Sequence, residues 1–551
     1  MKRARSTSSD EVSSRSKRAK ESIVDSVLKR REHYIEEAAQ KTGEVGVEWE
    51  RVCKGRDNPE AWMRLVKRME MDKVDRDALR AVYAEVLLRW PYCYGYWCKL
   101  ASLEEKIDAD RAIDVYEAAI EVFPLSVDIW LAYLRFIRPI LMQKEDGIKG
   151  IQKLQARALC TVGKEWKSEA VWVDIIAFEI SIENYRATTV VLDHLIAIPM
   201  ATVDENWETL KKHLEVRKLE NVVGAEELKQ LRIEAEKRGL KPDDATLKKL
   251  AIESRRTIYK KCKRRVGEMS IYEEKIKRRY FHWRALEKAQ LENWGKYLTW
   301  AMDQDSDTTT LIFERCLVPC ALYEEFWLLY ADWRERRKEV TEARAIYSRA
   351  HLIHCPSSSI VTLAYAAFLE TSDYEHNALD VLRNFYSNHP HDKFVANRLL
   401  GLMKRMEMGK NMNKLDVDRV VIQYESMIKD ERDFDRSSFL SIRLARFLCK
   451  VKNDPKMAVK VLRSALHKDP ANENLYLQWV DVLYQMTPID VDAIVKAFDD
   501  CVRNRNLSLR VRLRFSQMKV DFLEEFAADV RFIQSHIAYH RRLAEQAMNN
   551  Q

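Results

Sequence analysis

The sequence predicts an all-α solenoid of stacked helix pairs, arranged in two arms joined by a helical bridge. Three observations predict it. Trp62, Trp97, Trp130, Trp172 and Trp207 recur with gaps of 35, 33, 42 and 35 residues, and self-similarity at periods of about 20–50 residues marks repeats that bury their apolar faces only by stacking. After each Trp comes a second apolar stretch, clearest in Arg111-Ala112-Ile113-Asp114-Val115-Tyr116-Glu117-Ala118-Ala119, which closes on Pro124. The 551 residues also contain only 13 Gly and 12 Pro; strand-like alternation between turn clusters is scarce, which favours helices.

The N-terminal segment, 1–45, is Ser/Arg/Lys-rich at its start, lacks aromatics up to Tyr34, and cannot bury enough apolar area to fold alone. It is expected to be disordered at first and helical from Ile23 to Ala39. Lys2 and Arg3, then Lys17, Arg18 and Lys20, form two basic clusters with the spacing of a bipartite nuclear-localisation segment, although short basic tracts are also common in solvated tails. No run approaches eighteen apolar residues and no apolar leader follows the start, so the reading is an intracellular, soluble protein.

The first arm spans 46–215. Its first helices open near Trp62, Trp97, Trp130, Trp172 and Trp207, and Pro91, Pro124 and Pro199 follow second helices, where a residue without a backbone N–H stops the helix. The beat then breaks over a bridge, 216–285, with helical patterns at Glu226–Arg238 and Leu247–Arg265 around a Gly239-Leu240-Lys241-Pro242 turn. The second arm, 286–547, resumes at Trp294 and Trp327, loses its Trp in later pairs and recovers it at Trp479. These tryptophans read as repeat-packing residues, because each buries about 150–250 Å² and carries one polar tip.

Charge is segregated. Residues 1–20 hold seven Lys/Arg against two acids, and residues 254–279 hold eleven against three Glu, so a formal charge of +8 leaves the arms mildly acidic. On the bridge, Arg255, Arg256, Lys260, Lys261, Lys263, Arg264 and Arg265 spread over more than one helix face beside Tyr259. Such an array neutralises phosphates with little sequence reading. RNA, an acidic partner surface and plain solvent remain open as its neighbours.

No catalytic constellation is legible: there is no G-x-x-x-x-G-K-[ST], no H-E-x-x-H and no Gly-rich phosphate loop. The reading is a protein that is not an enzyme and takes no cofactor or metal. Cys316-x-x-x-Cys320 with His351 and His354 has zinc-type ligands, but all four fall at the ends of repeat helices, and the ten cysteines read as reduced core thiols.

The residues around the tryptophans separate two repeat classes. A tetratricopeptide repeat wants W-x-x-L-G-x-x-Y, whereas Trp97-Cys98-Lys99-Leu100 continues with Ala101 and Trp130-Leu131-Ala132-Tyr133 with Leu134. The pattern resembles the HAT (half-a-tetratricopeptide) repeat, with a first-helix Trp and a second-helix R-A-x-x-x-[YF]-E-x-A. Longer blocks carry a further resemblance: Lys288–Trp294, Phe313–Trp327 and Arg514–Phe526 are similar to the pre-mRNA-processing factor 39 family over roughly residues 46–547. The tail and parts of the bridge match poorly.

That resemblance implies a nuclear, non-catalytic scaffold of the U1 small nuclear ribonucleoprotein in pre-mRNA splicing, supporting 5′ splice-site engagement through protein contacts, notably with the U1-specific C protein. It also implies dimerisation through the C-terminal arm, with a second copy or a paralogue. A homodimer is favoured because the last pair carries exposed-looking apolar positions, Phe515, Phe522, Phe526, Phe532 and Ile533, where a terminal repeat normally shows a polar face; the same residues could simply seal the last core. The rival readings are a HAT scaffold of an RNA 3′-end cleavage or ribosomal-RNA-processing complex and, more distantly, a cytosolic co-chaperone adaptor.

Overall fold

The computed structural model describes residues 23–408, 414–431 and 433–549, in which regular structure is helical and no strand occurs. Lys2, Arg3, Lys17, Arg18 and Lys20 lie outside the described residues. The chain divides into two compact units, one ending at Pro356 and one beginning at Ser357.

The first unit stacks successive antiparallel helix pairs, among them Pro59–Met71 with Arg76–Arg89, Tyr94–Glu104 with Ala109–Val122, and Val127–Leu141 with Gly147–Cys160. Local chemistry sets their starts. Asn58, Asp75 and Asp108 each accept a backbone N–H two residues on, and Ser126 accepts that of Ile129, which satisfies donors that the first helical turn leaves unpaired. The tight turn within a pair demands something else. Lys73, Glu183, Lys338, Asp373 and Asn453 sit at φ between 47° and 62°, each between the two helices of one pair. A left-handed L-residue costs about 1–2 kcal/mol, less for Asn. Replacing Lys338 by Gly is therefore expected to raise stability by about 0.5–1 kcal/mol after the extra unfolded-state freedom of Gly is subtracted; a urea midpoint that falls would contradict this.

The tryptophans do more than fill space. Trp62, Trp97, Trp130 and Trp327 are each the fourth residue of their helix, and each donates its indole N–H to the carbonyl six residues earlier, that of Arg56, Pro91, Pro124 or Ala321, at 2.8–2.9 Å. Those carbonyls lie in the loop before the helix and are free to accept. Trp172, also fourth in its helix, uses Gly163 at 3.0 Å. Trp294 and Trp479 are instead seventh, so the residue six earlier is already helical, and both bury an indole N–H that has no partner among the described residues. The second-helix tyrosines are held in a comparable way: Tyr83, Tyr116 and Tyr347 donate to Glu70, Glu105 and Glu335 of their own pair's first helix or the turn after it.

The bridge comprises the helices Leu219–Val222, Ala225–Lys237 and Asp244–Glu273. Gly239, at φ 70°, ends the second of these, and the Leu240 N–H reaches back to the Ala235 carbonyl as in a Schellman-type stop. Two further pairs follow in the same unit, Lys288–Met302 with Ser306–Leu317 and Glu324–Arg336 with Val340–Arg349, the last running on into a π turn, Ala350–His354. The expected boundary at 285/286 does not coincide with the division into compact units. Residues 286–356 pack within the first unit, because Arg315 and Arg349 bond to Glu165 and Tyr92, and Phe281, Val318 and Ala321 join the core that starts at Leu28.

Among its described residues the second unit contains five pairs, from Ser359–Thr371 with Glu375–Asn388 to Leu509–Phe526 with Val530–Asn549. Its core runs from Ala396 to Leu543, with Trp479, Phe498 and Phe515 among its largest members.

Candidate interaction surfaces and a charged junction

The basic bridge helix is sorted by its packing into used and unused cations. Arg255 is corrected from a contact residue to a structural one: it is buried, chelates Asp193 through Nε and Nη2, and reaches Glu227 through Nη1 at 2.7 Å. Burial opposes its charge, and the two carboxylates more than restore it. Lys263 bonds both oxygens of Asp204, which also accepts the Tyr259 hydroxyl, while the Tyr259 ring stacks on Trp207 at 4.8 Å. Arg265 donates to Asp305 at 2.8 Å and to Thr308. Burial pushes the Asp305 carboxyl up, but the Thr308 amide and Arg265 hold it down to about 2.

Arg256, Lys260, Lys261 and Arg264 remain. All four are exposed and none forms an ion pair among the described residues. Arg256, Lys260 and Arg264 are spaced i, i+4, i+8, so they share one face over about 12 Å of helix, with Lys261 beside them.

A densely bonded, buried polar site was not foreseen from the sequence. At the end of the bridge helix Glu273 is wholly buried, accepting from Arg315 Nη1 and Nη2 (the latter at 3.0 Å), from Arg279 at 2.7 Å and from the Tyr297 hydroxyl at 2.8 Å. Arg315 turns its Nε to Glu165 at 2.7 Å. Burial alone would raise the Glu273 pKa, and Arg315 and Arg279 reverse it to below the usual carboxylate range. One arginine thus joins the first array, the bridge and the next pair. A second clasp lies beside it: Arg349 holds Glu314 with two bonds of 2.8 and 2.9 Å and donates to the Tyr92 hydroxyl at 3.0 Å, and His354 stacks on Trp327 and packs at a tilt against Tyr92. The sequence did carry one signal. Met269, Glu273 and Ile276 share a buried side, as do Thr309, Ile312, Arg315 and Cys316, so each charge interrupts an apolar face.

Cys316 and Cys320 are buried neighbours, and burial pushes the Cys316 thiol well up. Among the described residues no group of three or more metal-ligand side chains converges.

At the C-terminus, Phe515 and Phe522 are corrected to core residues. They point into the preceding pair, Phe515 edge-on to Tyr476 and Phe522 against Phe498 and Tyr484. Phe526 is 37% and Phe532 65% exposed, and Ile533 is half-buried. Trp62, Trp97, Trp130, Trp172, Trp207, Trp294, Trp327 and Trp479 all sit in the core.

Comparison with known proteins follows the same architecture. The family model described as the PRP39 N-terminal HAT repeat matches residues 47–212, and that described as the PRP39 C-terminal HAT repeat matches 267–405. Pre-mRNA-processing factor 39 of Danio rerio is 31% identical over 541 residues, covering 91% of this chain and 70% of that protein. Its Homo sapiens counterpart is 29% identical over 525 residues, covering 89% and 76%. The U1 small nuclear ribonucleoprotein component PRP42 of Saccharomyces cerevisiae is 23% identical over 327 residues, covering 56% and 59%. With the HAT pattern, the helix pairs and a relative aligned over most of both lengths, the chain belongs to the pre-mRNA-processing factor 39 family.

Proposed function

We propose that this protein is a nuclear, non-catalytic scaffold of the U1 small nuclear ribonucleoprotein that supports 5′ splice-site engagement through protein contacts, with the U1-specific C protein as a principal partner. The observation that carries the reading is membership of a HAT-repeat pre-mRNA-processing family that has a relative named as a U1 component. The way the chain spends its buried charge supports it: Arg255, Arg315 and Arg349 join helices to one another, as a framework for surfaces requires. Purifying the native complex with its RNA tests the reading. U1 RNA should dominate, and a predominance of ribosomal-RNA precursors or 3′-end cleavage factors would replace it with the rival HAT scaffold.

In this proposal the unpaired cations Arg256, Lys260, Lys261 and Arg264 contact RNA within the particle, a role supported by their shared exposed face. Reversing Lys260, Lys261 and Arg264 to Glu is expected to weaken RNA association and to flatten its log–log salt dependence by about 0.7 per lost phosphate contact on a single strand. An unchanged slope at low salt would remove the RNA contact. Self-association is assigned to the terminal pair, where Phe526 and Phe532 are exposed; Phe532→Asp should shift the protein to monomer in sedimentation, and a monomeric wild type would dismiss the homodimer.

A further inference from the structure

A second surface, unrelated to the basic helix, lies in the second unit between the first helices of two successive pairs. Phe434–Phe447 presents Asp435, Phe439, Ile442, Arg443 and Arg446, and Glu473–Tyr484 presents Asn474, Leu477, Gln478 and Asp481. Each set follows the i, i+3, i+4, i+7 spacing of one helix face. Together with Asn472 and Lys393 they line a groove of about 580 Å³, within the size range of ligand sites.

Its chemistry is lopsided. Arg443 lies over the Phe439 ring at 5.3 Å and Arg446 donates to the neutral Gln478 amide. Arg443 is partly buried and Arg446 and Lys393 are exposed, and among the described residues none of the three has a carboxylate partner, whereas the partly buried Arg138, Arg334 and Arg436 elsewhere in this protein each hold one. Gln478 is buried and passes its own N–H to Asp481 at 3.0 Å, which fixes Arg446 in place. The Asn474 amide is exposed and makes no side-chain bond among the described residues. The floor between them is Phe439, Ile442 and Leu477, all partly buried.

We propose that this groove binds an extended peptide in which acidic side chains flank an apolar one. Carboxylates supply the partners that Lys393, Arg443 and Arg446 lack, and guanidinium groups take them in paired hydrogen bonds. Asn474 has the donor and acceptor needed to bond a peptide backbone, and the apolar floor accepts an aliphatic or aromatic side chain. A continuous phosphate backbone fits less well, because Asp435 and Asp481 alternate with the cations in the same wall: an unbroken row of phosphates meets both signs, whereas a peptide sets neutral or apolar residues opposite the carboxylates.

Selection of random twelve-residue peptides on the full chain, with binding of enriched peptides measured on wild type, Arg443→Glu/Arg446→Glu and Asn474→Ala, tests this. Enriched peptides should carry Asp or Glu beside Leu, Ile or Phe. Their affinity should drop about tenfold or more on charge reversal and severalfold with Asn474→Ala, whose exposed side chain leaves folding intact. Oligouridylate should not compete. Enrichment without acids, affinity indifferent to both variants, or displacement by oligouridylate at equal charge would each overturn the proposal, the last in favour of RNA.

Discussion

Arg315→Ala is expected to destabilise the first unit by about 3–5 kcal/mol, the cost of leaving a buried charge without its partner. Arg315 and Glu273 are 4% and 0% exposed at the side chain, so water cannot replace the lost bonds. After the substitution Glu273 keeps only Arg279 and the Tyr297 hydroxyl, and Glu165 keeps none of its Arg315 bond. Arg315→Met with Glu273→Gln should recover a good part of the loss, because a neutral polar group in an apolar setting carries a smaller desolvation penalty than an ion. The measurement is urea unfolding followed by Trp fluorescence. A loss under about 1 kcal/mol, the scale of an exposed pair, would show that the junction does not hold the unit together.

The second large effect is a pH dependence centred on His354. Burial, reinforced by the nearby Arg349 charge, pushes its pKa from the ordinary 6.5 down to about 3. The folded protein therefore keeps His354 neutral where the unfolded chain protonates it, so the unfolded state binds the extra proton and stability falls with decreasing pH. The contribution is complete above pH 6.5 and is lost progressively from there towards pH 3, at up to about 1.4 kcal/mol per pH unit. His351, His213 and His536 are depressed by burial in the same direction, so the total slope mixes several groups. Comparing wild type with His354→Phe, which preserves a ring between Trp327 and Tyr92, isolates one of them. Between pH 7.5 and 5 the variant should lose about 2 kcal/mol less than wild type; equal losses would mean that His354 titrates freely.

Much of the architecture was readable because it rests on local rules. The repeat tryptophans and the prolines behind second helices act within one pair or its nearest loop, so spacing along the chain reports them directly. The break in the beat after Trp207 falls where the chain leaves the paired pattern for the long helix Asp244–Glu273, which packs back on Val203–Val216 through Tyr259 and Trp207.

What the chain order could not show is which residues meet across it. Arg255 and Arg264 look alike in a basic run, yet one faces Asp193, sixty-two residues away, and the other faces solvent. Phe515 and Phe526 share one helix, and only the preceding pair, through Tyr476, determines that the first is core and the second partly bare. Composition and period by themselves determined an all-α repeat protein and its helix pairs, since each depends on contacts between near neighbours. Tertiary structure alone decided that residues up to 356 close as one unit on Arg315, Glu273 and Glu165, and which cations stay free. Pairing partners 42 and 150 residues apart leave no periodic trace, and burial changes a charge from a contact into a structural bond.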